Sequence, residues 1–316
     1  MADRRLKIAD WIGRTESRVD SVTAAPLAAL SAMLDRDDPP PRAGDPLPPL
    51  WHWLFFLPIH KQSELGVDGH ARIGEFLPPV PLPRRMYAGG RVELHHPLRV
   101  GDAIERVSRI EDVSEKEGRS GPLVFVKVRH EIRNQQGLAL IEDHDIVYRE
   151  SDAKRAPKGP HVSGPNTRDG RPGSSGPGVL EPVWTREIVP DEVLLFRYSA
   201  LTFNGYRIHY DRRFATDVQG YSGLVVHAPL MATLLADLLR RHLPAADVAA
   251  LTFRALRPLF DGDPLLACGS PDSDGKTVRL WGQDASGAVA FEATAMLSGK
   301  PVQPAGSSQL AAGESL

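Results

Sequence analysis

Apolar residues recur at helical spacing in one long segment of the second half of the chain. Residues 227–243 (HAPLMATLLADLLRRHL) place a set of large apolar side chains on one broad face: Leu230, Met231, Leu234, Leu235, Leu238 and Leu239. Pro229 stands where a first turn tolerates proline, and basic residues follow where the helix dipole favours cations. The pattern predicts a central apolar helix over 227–243. A shorter and weaker version at 26–34 (PLAALSAML) predicts its counterpart in the first half.

Alternating polar and apolar positions dominate the segments around two copies of a short motif. Pro-Leu-x-x-Gly-Asp occurs at 97–102 and again at 258–263, and the segments around the two copies keep the same offset. Three alternating or β-branched stretches separated by turn residues follow each copy, as in an antiparallel meander. A chance match would not reproduce these strand positions. The duplication predicts an α+β double hotdog, in which two curved antiparallel sheets each wrap a central helix.

Changes in composition predict the domain boundaries. Residues 151–178 hold Gly, Pro, Ser and charged residues with almost no large apolar side chains, so we expect a linker there. The last residues, 301–316, have the composition of a disordered tail. These segments leave an N-terminal hotdog domain at 1–150 and a C-terminal one at 179–300.

Charge and cysteine content exclude several classes of function. Lys+Arg 38 against Asp+Glu 40 gives a formal net charge of -2, which predicts neither a nucleic-acid partner nor a membrane-surface anchor. No apolar run is long enough to span a bilayer and no secretory signal opens the chain, so a cytoplasmic protein is expected. One cysteine, Cys268, forms neither an internal disulfide nor a Cys-rich metal site. No metal-ligand spacing surrounds the remaining candidates, which are His52, His60, His95, His96 and the solvated Asp143-His144-Asp145 stretch.

The segment 193–211 (VLLFRYSALTFNGYRIHYD) carries the strongest indication of chemistry. A helix is predicted over 193–203, and Asn204-Gly205 suits its end. His209 follows five residues after Asn204. An amide and an imidazole on one turn can hold a water molecule between them. The alternative is an ordinary helix stop followed by a structural histidine, and spacing does not decide between the two.

The residues around this turn resemble a known family. Residues 200–211 and 223–228 (GLVVHA) are similar to the hydratase-2 motif of MaoC-type (R)-specific enoyl-CoA hydratases, an Asp followed by a His five residues later. Asn204 takes the Asp position and His209 the His position, as in the type 2 hydroxyacyl-thioester dehydratases. Residues 47–101, with PLPPLWHWLFFLP and LPPVPLPRRMYAGG, resemble hydratases of mesaconyl-C4-CoA (3-methylfumaryl-CoA) and itaconyl-CoA.

The resemblance covers most of residues 10–300 and implies a cofactor-free hydro-lyase. The N-terminal half would be a degenerate hotdog that supplies acyl-pocket wall, and the C-terminal half would be catalytic. The implied reaction is hydration of mesaconyl-C4-CoA, or of itaconyl-CoA, to citramalyl-CoA. An acyl-CoA is thus the expected partner, with association into a homodimer of double hotdogs.

Three alternatives remain at this point. The first is a (3R)-hydroxyacyl-thioester dehydratase of fatty-acid or polyketide metabolism. The second is a hotdog thioesterase, for which Asp237 is the carboxylate on the central helix. The third is a non-catalytic acyl-thioester-binding subunit, which would not need the pair formed by Asn204 and His209.

The resemblance also assigns the catalytic roles. Histidine has a pKa near neutrality, so His209 is the expected proton-transfer base. Asn204 has no accessible ionisation, and its side-chain carbonyl is expected to orient the water. The backbone N–H of Ala228, at the start of the central helix, is expected to hold the thioester oxygen as charge develops there.

Substrate-binding residues are predicted with a wider range of roles. Arg84 and Arg85 are candidates for the free carboxylate of a dicarboxyl-CoA, because guanidinium suits bidentate carboxylate recognition. Arg207 would meet the CoA phosphates or point to solvent. Gly223 and His227 match positions of the motif, and packing at the helix entry is the alternative for His227.

Overall fold

The computed structural model describes residues 8–118, 121–150 and 181–299, so the predicted linker and tail lie outside the described residues. Three α-helices lie in this part of the chain: α1 (Ala24–Met33), α2 (Glu192–Leu201) and α3 (Ala228–His242). No helix in the described ranges is long and apolar enough to cross a membrane. The strands are β1 (Thr15–Ser21), β2 (Arg84–Leu94), β3 (Ala103–Gly118), β4 (Gly121–Asn134), β5 (Gly137–Arg149), β6 (Trp184–Ile188), β7 (Asp247–Ala255), β8 (Leu265–Pro271), β9 (Thr277–Gln283) and β10 (Val289–Ser298).

All ten strands join one antiparallel sheet in the order β1-β3-β4-β5-β2-β7-β10-β9-β8-β6. The first half of the chain supplies β1–β5 and the second half β6–β10. Counted outward from the central β2–β7 pair, the order is β2-β5-β4-β3-β1 in the first half and β7-β10-β9-β8-β6 in the second, so the two halves match. The three strands predicted after each Gly-Asp are β3, β4 and β5 in the first half and β8, β9 and β10 in the second. The predicted α+β duplication is therefore present in the fold.

The two half-sheets meet where β2 pairs with β7. Gly89 lies opposite Arg254 and Gly90 opposite Phe253 in this pairing. A Cβ atom on Gly89 would lie 2.5 Å from the carbonyl oxygen of Phe253, so glycine is what allows the strands to approach here. This pairing joins the two five-stranded half-sheets into one ten-stranded sheet.

The helix predicted at 227–243 forms as α3 and fills the interior of the second half. Its contacts run to β6, β8, β9 and β10, and also to β2 of the first half. Ten consecutive residues from Leu230 to Leu239 are buried. The sequence predicted burial of one face of this helix. In the structure α3 is enclosed on nearly all sides.

The two copies of Pro-Leu-x-x-Gly-Asp identify which segment of the first half corresponds to α3. Arg99 forms an isolated bridge to Pro46, and Phe260, which takes the place of Arg99 in the second copy, forms one to Val225. The backbone bonds repeat as well, because Leu47 N donates to Leu98 O at 2.8 Å and Val226 N to Leu259 O at 2.9 Å. Thus 46–47 corresponds to 225–226, the residues just before α3.

The counterpart of α3 is consequently not the helix at 26–34. That helix forms as α1, but it follows the edge strand as α2 does, and the two helices pack against each other. Between residue 47 and β2 the first half makes two short 3-10 turns, Trp51–Leu54 and Gln62–Glu64, where the second half makes a fifteen-residue helix. The prediction of a central helix at 26–34 is wrong, since helical propensity does not show which helix a sheet encloses.

Candidate active site

A cavity of about 1460 Å³ is lined by residues of both halves of the chain. From the second half it is lined by the end of α2, the turn that carries Asn204 and His209, and the start of α3. The first half contributes β2, β4, β5 and the loop at 65–77. This cavity brings together five of the eight predicted site residues and several that the sequence did not indicate. The five are Asn204, His209, Ala228, Arg85 and Arg207.

His209 is buried on the 3-10 turn Arg207–His209 and reaches the cavity with one ring nitrogen. Its Nδ1 lies 2.7 Å from the carbonyl oxygen of Val225. A carbonyl only accepts, so Nδ1 carries the hydrogen and Nε2 keeps a free lone pair. Nε2 has no partner among the described residues and is not sealed from the cavity. Burial lowers the pKa of His209 to about 4, which leaves the ring neutral and able to accept a proton at neutral pH.

His227 lies behind His209 rather than in the cavity wall. The two rings stack at 3.6 Å between centroids, and His227 Nε2 contacts Ser199 Oγ at 2.8 Å. Burial, and then the neighbouring His209, lower the pKa of His227 well below its usual value. Because His227 is not among the residues that line the cavity, its prediction as a substrate-binding residue is not supported. The placement favours the packing alternative.

Asn204 lines the cavity at the end of the turn that follows α2. Phe203 just before it adopts a left-handed conformation with φ 51°, which breaks the helix. Asn204 N then donates to Ser199 O at 2.8 Å, and its Oδ1 accepts the N–H of Tyr206 at 3.0 Å. An amide oxygen has two lone pairs, so one remains for a water molecule. The water-orienting role of Asn204 stays a prediction. One of the two lone pairs of Oδ1 is already used by Tyr206.

Ala228 is the first residue of α3, and it lines the cavity. Donors in the first turn of a helix have no acceptor within the helix, and Pro229 contributes no N–H. The Ala228 N–H is therefore available at the positive end of the α3 dipole, in the wall of the same cavity as His209. The oxyanion role is a prediction with which this placement agrees.

The two arginines of β2 point to opposite faces of the sheet, as neighbouring residues of a strand do. Arg85 lines the cavity. Arg84 is 2% exposed, contacts the carbonyl of Gln219 and stacks 4.9 Å from the centre of the Tyr221 ring. Of the pair predicted to bind a carboxylate, only Arg85 is in the cavity wall, and the prediction fails for Arg84.

Arg207 is held by its own loop and by the first-half loop at 65–77. Its guanidinium pairs with Asp211 at 2.6 Å and donates to Val67 O at 2.9 Å. It lines the cavity, and these partners leave some of its five N–H groups unused, so contact with the CoA phosphates stays a prediction.

Gly223 is needed for close packing and does not line the cavity. A Cβ at this position would lie 2.6 Å from Asp261 Oδ1, the same oxygen that accepts the N–H of Leu224 at 2.7 Å. The prediction that Gly223 binds substrate is therefore not supported.

The first half places a buried polar cluster in the cavity wall that sequence reasoning missed. Glu142 accepts hydrogen bonds from His52 Nε2 and Trp53 Nε1, each at 3.0 Å. Burial opposes ionisation of Glu142, but the His52 bond lowers its pKa below the usual value. Trp53 and Glu142 line the cavity together with Tyr87, Arg106, His130 and His144.

The interpretation of residues 143–145 as a solvated stretch is wrong for His144. On β5 its neighbours Asp143 and Asp145 form ion pairs with Arg129 and Lys127. The pleat turns His144 to the other face, where its ring lies 4.4 Å from that of Tyr87. Alternation along the strand is the signal that separates it from the two aspartates.

A carboxylate–imidazole pair from the first half also enters the cavity. His70 lines the cavity, and its Nδ1 lies 2.9 Å from Asp68 Oδ2. Its ring packs on Tyr206 at 4.1 Å, and Tyr206 in turn meets His209 edge-on at 5.6 Å. No sequence spacing indicated this arrangement, since the two loops that it joins belong to different halves of the chain.

Asp237, the carboxylate expected of a thioesterase, is committed elsewhere. It is 4% exposed and accepts hydrogen bonds from Arg36 at 2.8 Å and from Arg186 and Arg241 at 2.7 Å each. It does not line the cavity. The thioesterase alternative therefore loses its only candidate on α3.

Comparisons with known proteins identify the family of the chain. The family model of hydroxyacyl-thioester dehydratase type 2 matches residues 50–261. A mesaconyl-C(4)-CoA hydratase of Chloroflexus aurantiacus is 45% identical over 92% of this chain and 97% of its own. A mitochondrial hydroxyacyl-thioester dehydratase type 2 of Schizosaccharomyces pombe is 26% identical over 74% of this chain and 80% of its own.

Solved structures establish the architecture. A MaoC-like dehydratase superposes with a TM-score of 0.65 at 14% identity, covering 90% of this chain and 98% of the other. A Mycobacterium tuberculosis protein with a double hotdog fold superposes with a TM-score of 0.53 at 14% identity, covering 90% and 96%. These likenesses confirm the predicted double hotdog. With the family model matching most of its length, the chain belongs to the hydroxyacyl-thioester dehydratase type 2 family.

Proposed function

We propose that this protein reversibly hydrates mesaconyl-C4-CoA to citramalyl-CoA. The observation that carries the proposal is the position of Arg85, a guanidinium in the wall of the same cavity as His209. The 45% identity to a mesaconyl-C(4)-CoA hydratase supports the same substrate. The reaction moves protons and water without a redox step, so it requires no cofactor beyond the CoA of the substrate.

The proton chemistry is assigned to the second half of the chain. Nε2 of His209 takes a proton from water while the water oxygen bonds to Cβ and the C=C electron pair moves towards the thioester oxygen. The N–H of Ala228 donates to that oxygen as its negative charge grows. The proton on His209 then passes to Cα, which completes the hydroxyacyl thioester and restores the neutral imidazole.

Arg85 is proposed to bind the free carboxylate of mesaconyl-C4-CoA, a group that ordinary enoyl-CoA substrates lack. In mesaconyl-C4-CoA the carbon attacked by water also carries a methyl group and the free carboxylate. Burying that carboxylate without a partner would be prohibitively costly, and its charge opposes the enolate that forms next to it. A guanidinium in the wall offsets both effects, and aromatic neighbours such as Tyr87 leave apolar surface for the methyl group.

Itaconyl-CoA is the second candidate substrate. It has the same carbon skeleton and would present its carboxylate to the same arginine. An ordinary (3R)-hydroxyacyl thioester needs only an apolar tunnel and leaves Arg85 without a function; the yeast relative is named for hydroxyacyl thioesters. A homodimer is also part of this proposal, to be checked by the mass of the purified protein in solution.

The proposal is tested with the full chain and a panel of thioesters. Mesaconyl-C4-CoA, itaconyl-CoA and crotonyl-CoA are each incubated with the protein, and hydrated products are separated by chromatography and identified by mass. We expect the highest kcat/KM for mesaconyl-C4-CoA. A preference for crotonyl-CoA would favour a general hydroxyacyl-thioester dehydratase, and binding of all three without turnover would favour a non-catalytic subunit.

A further inference from the structure

The pair formed by Asp68 and His70 is built into a tight, well-bonded loop. Gly66 N donates to His70 O at 2.7 Å, and Leu65 bridges Ala71 across the same turn. Asp68 uses both carboxylate oxygens on one residue, because Oδ1 accepts the backbone N–H of His70 at 3.1 Å and Oδ2 lies 2.9 Å from its ring Nδ1. A single carboxylate thus holds both the backbone and the ring of His70.

This loop is docked directly on the loop that carries Asn204 and His209. Arg207 N donates to Asp68 O at 2.9 Å. Gly69 approaches Gly205 so closely that a Cβ atom on Gly69 would lie 1.9 Å from the Gly205 carbonyl oxygen. The position of His70 relative to His209 is therefore set by backbone contacts and not by a flexible side chain.

The hydrogen bonds of the two imidazoles fix them in the same tautomer. An ionised carboxylate only accepts, so Nδ1 of His70 carries the hydrogen, as Nδ1 of His209 does towards Val225. Nε2 of His70 has no partner among the described residues and is not sealed from the cavity. Two acceptor nitrogens therefore face one cavity, and both imidazoles contact the ring of Tyr206.

The arrangement compensates for what position 204 lacks. The motif that this chain resembles pairs an Asp with the catalytic His, and this chain has Asn204, one of whose oxygen lone pairs already serves Tyr206. An amide cannot take up a proton, whereas an imidazole backed by a carboxylate can hold a water hydrogen and stabilise positive charge.

We propose that His70, oriented by Asp68, is a further catalytic residue that holds the attacking water together with His209. This role rests on the proposed hydratase function. One O–H of the water points to His209 Nε2, and the other is shared between His70 Nε2 and the remaining lone pair of Asn204 Oδ1, which leaves an oxygen lone pair directed at Cβ. As the C–O bond forms, His209 takes its proton and later returns it to Cα, and His70 keeps its hydrogen bond to the new hydroxyl group.

The protonation state of His70 suits this role. Burial and then the charge of Arg85 lower the pKa of His70 to about 4, and Asp68 opposes both effects. Its Nε2 is therefore a bare acceptor at neutral pH. A substrate carboxylate bound to Arg85 would neutralise the second cause and raise the basicity of His70 when the substrate is in place.

The test uses His70→Ala in the full chain, with mesaconyl-C4-CoA as the substrate. We expect kcat to fall by roughly 10²-fold while KM stays within about threefold, because the lost bond is to water and not to the thioester. Added imidazole should restore a saturable part of kcat, since the truncated side chain leaves space in an open cavity. His95→Ala, an exposed histidine outside the cavity wall, is the control and should retain full activity.

A second variant separates catalysis from folding. His70→Gln keeps an acceptor at the end of the side chain and should retain more kcat than His70→Ala, with an unchanged melting temperature. Normal kcat in His70→Ala, or a loss that neither imidazole nor glutamine improves, would overturn the role of His70. Absence of turnover in the unaltered protein would instead refute the proposed function itself, so the two failures are distinguishable.

Discussion

The two halves of the chain have the same strand order but differ in what packs against their strands. In the second half the segment after Val226 becomes α3, which fills the sheet with ten buried residues in succession. In the first half the corresponding segment after Leu47 makes two short 3-10 turns, Trp51–Leu54 and Gln62–Glu64. The first half therefore has an open cavity where the interior of the second half is filled by α3. Polar side chains of β2, β4 and β5 line this cavity.

This difference assigns different tasks to the two halves. The second half offers a helix N-terminus at Ala228 and a neutral imidazole at His209, which suit charge stabilisation and proton transfer. The first half, which has no central helix among its described residues, offers Arg85, which suits recognition of an anionic acyl group. The proposed roles are thus divided between the halves, and each half can be tested separately.

The largest effect is expected from the second half. His209→Ala removes the proposed base and should lower kcat by a factor of roughly 10²–10⁴. The ring is stacked on His227, so folding is checked by circular dichroism and by the melting temperature. Near-normal turnover in a folded variant would remove His209 from the mechanism and break the proposed division between the halves.

The next effect concerns the first half and is specific to the substrate. Arg85→Met should cost on the order of 2–5 kcal/mol in kcat/KM for mesaconyl-C4-CoA, the range for leaving a buried charge unpaired. It should cost much less for crotonyl-CoA, which carries no second carboxylate. Arg84→Met is the matched control on the opposite face of β2, and it should change both substrates equally through stability. Equal losses in Arg85→Met would remove the carboxylate role.

Local patterns were sufficient for much of the fold. The helical spacing in 227–243 predicted α3 within a residue at each end, and the repeated Pro-Leu-x-x-Gly-Asp predicted the three strands that follow it in each half. These elements depend on interactions between near neighbours, which a sequence displays directly. The turn at Asn204 was likewise visible because Asn-Gly favours the end of a helix, although α2 ends earlier than predicted, at Leu201, and the left-handed residue is Phe203.

The parts that failed depend on contacts between distant residues. The helix at 26–34 has the same local signal whether a sheet encloses it or not, so its role could not be read from propensity. Strand alternation predicts that Arg84 and Arg85 face opposite ways but not which one faces the cavity. The loop of Asp68 and His70 meets Arg207 from the other half of the chain, and only the folded protein brings them together.

A third prediction concerns the contact between the halves, through Asp237 on α3. This carboxylate accepts from Arg36 of the first half and from Arg186 and Arg241 of the second. Asp237→Ala leaves three guanidinium groups without their shared acceptor and should lower the free energy of unfolding by about 3 kcal/mol. Chemical denaturation measures the change, with Asp272→Ala, which breaks a surface pair with Arg279, as a control expected to cost at most about 1 kcal/mol. A cost equal to that of the control would show that the network adds no stability.

The smallest effect is expected from a conservative change at Asn204. Its Oδ1 accepts the N–H of Tyr206 and is proposed to accept a hydrogen from water as well. Asn204→Asp keeps an acceptor for the N–H of Tyr206 and should retain kcat within about tenfold, because a carboxylate can hold the same water. Asn204→Leu has the same length without the acceptor, so it should lose most of its activity and also some stability of the turn. Comparing kcat with the melting temperature of each variant separates the two roles. If Asn204→Leu loses stability but keeps its kcat, the amide serves only the turn, and the water is held by the histidines.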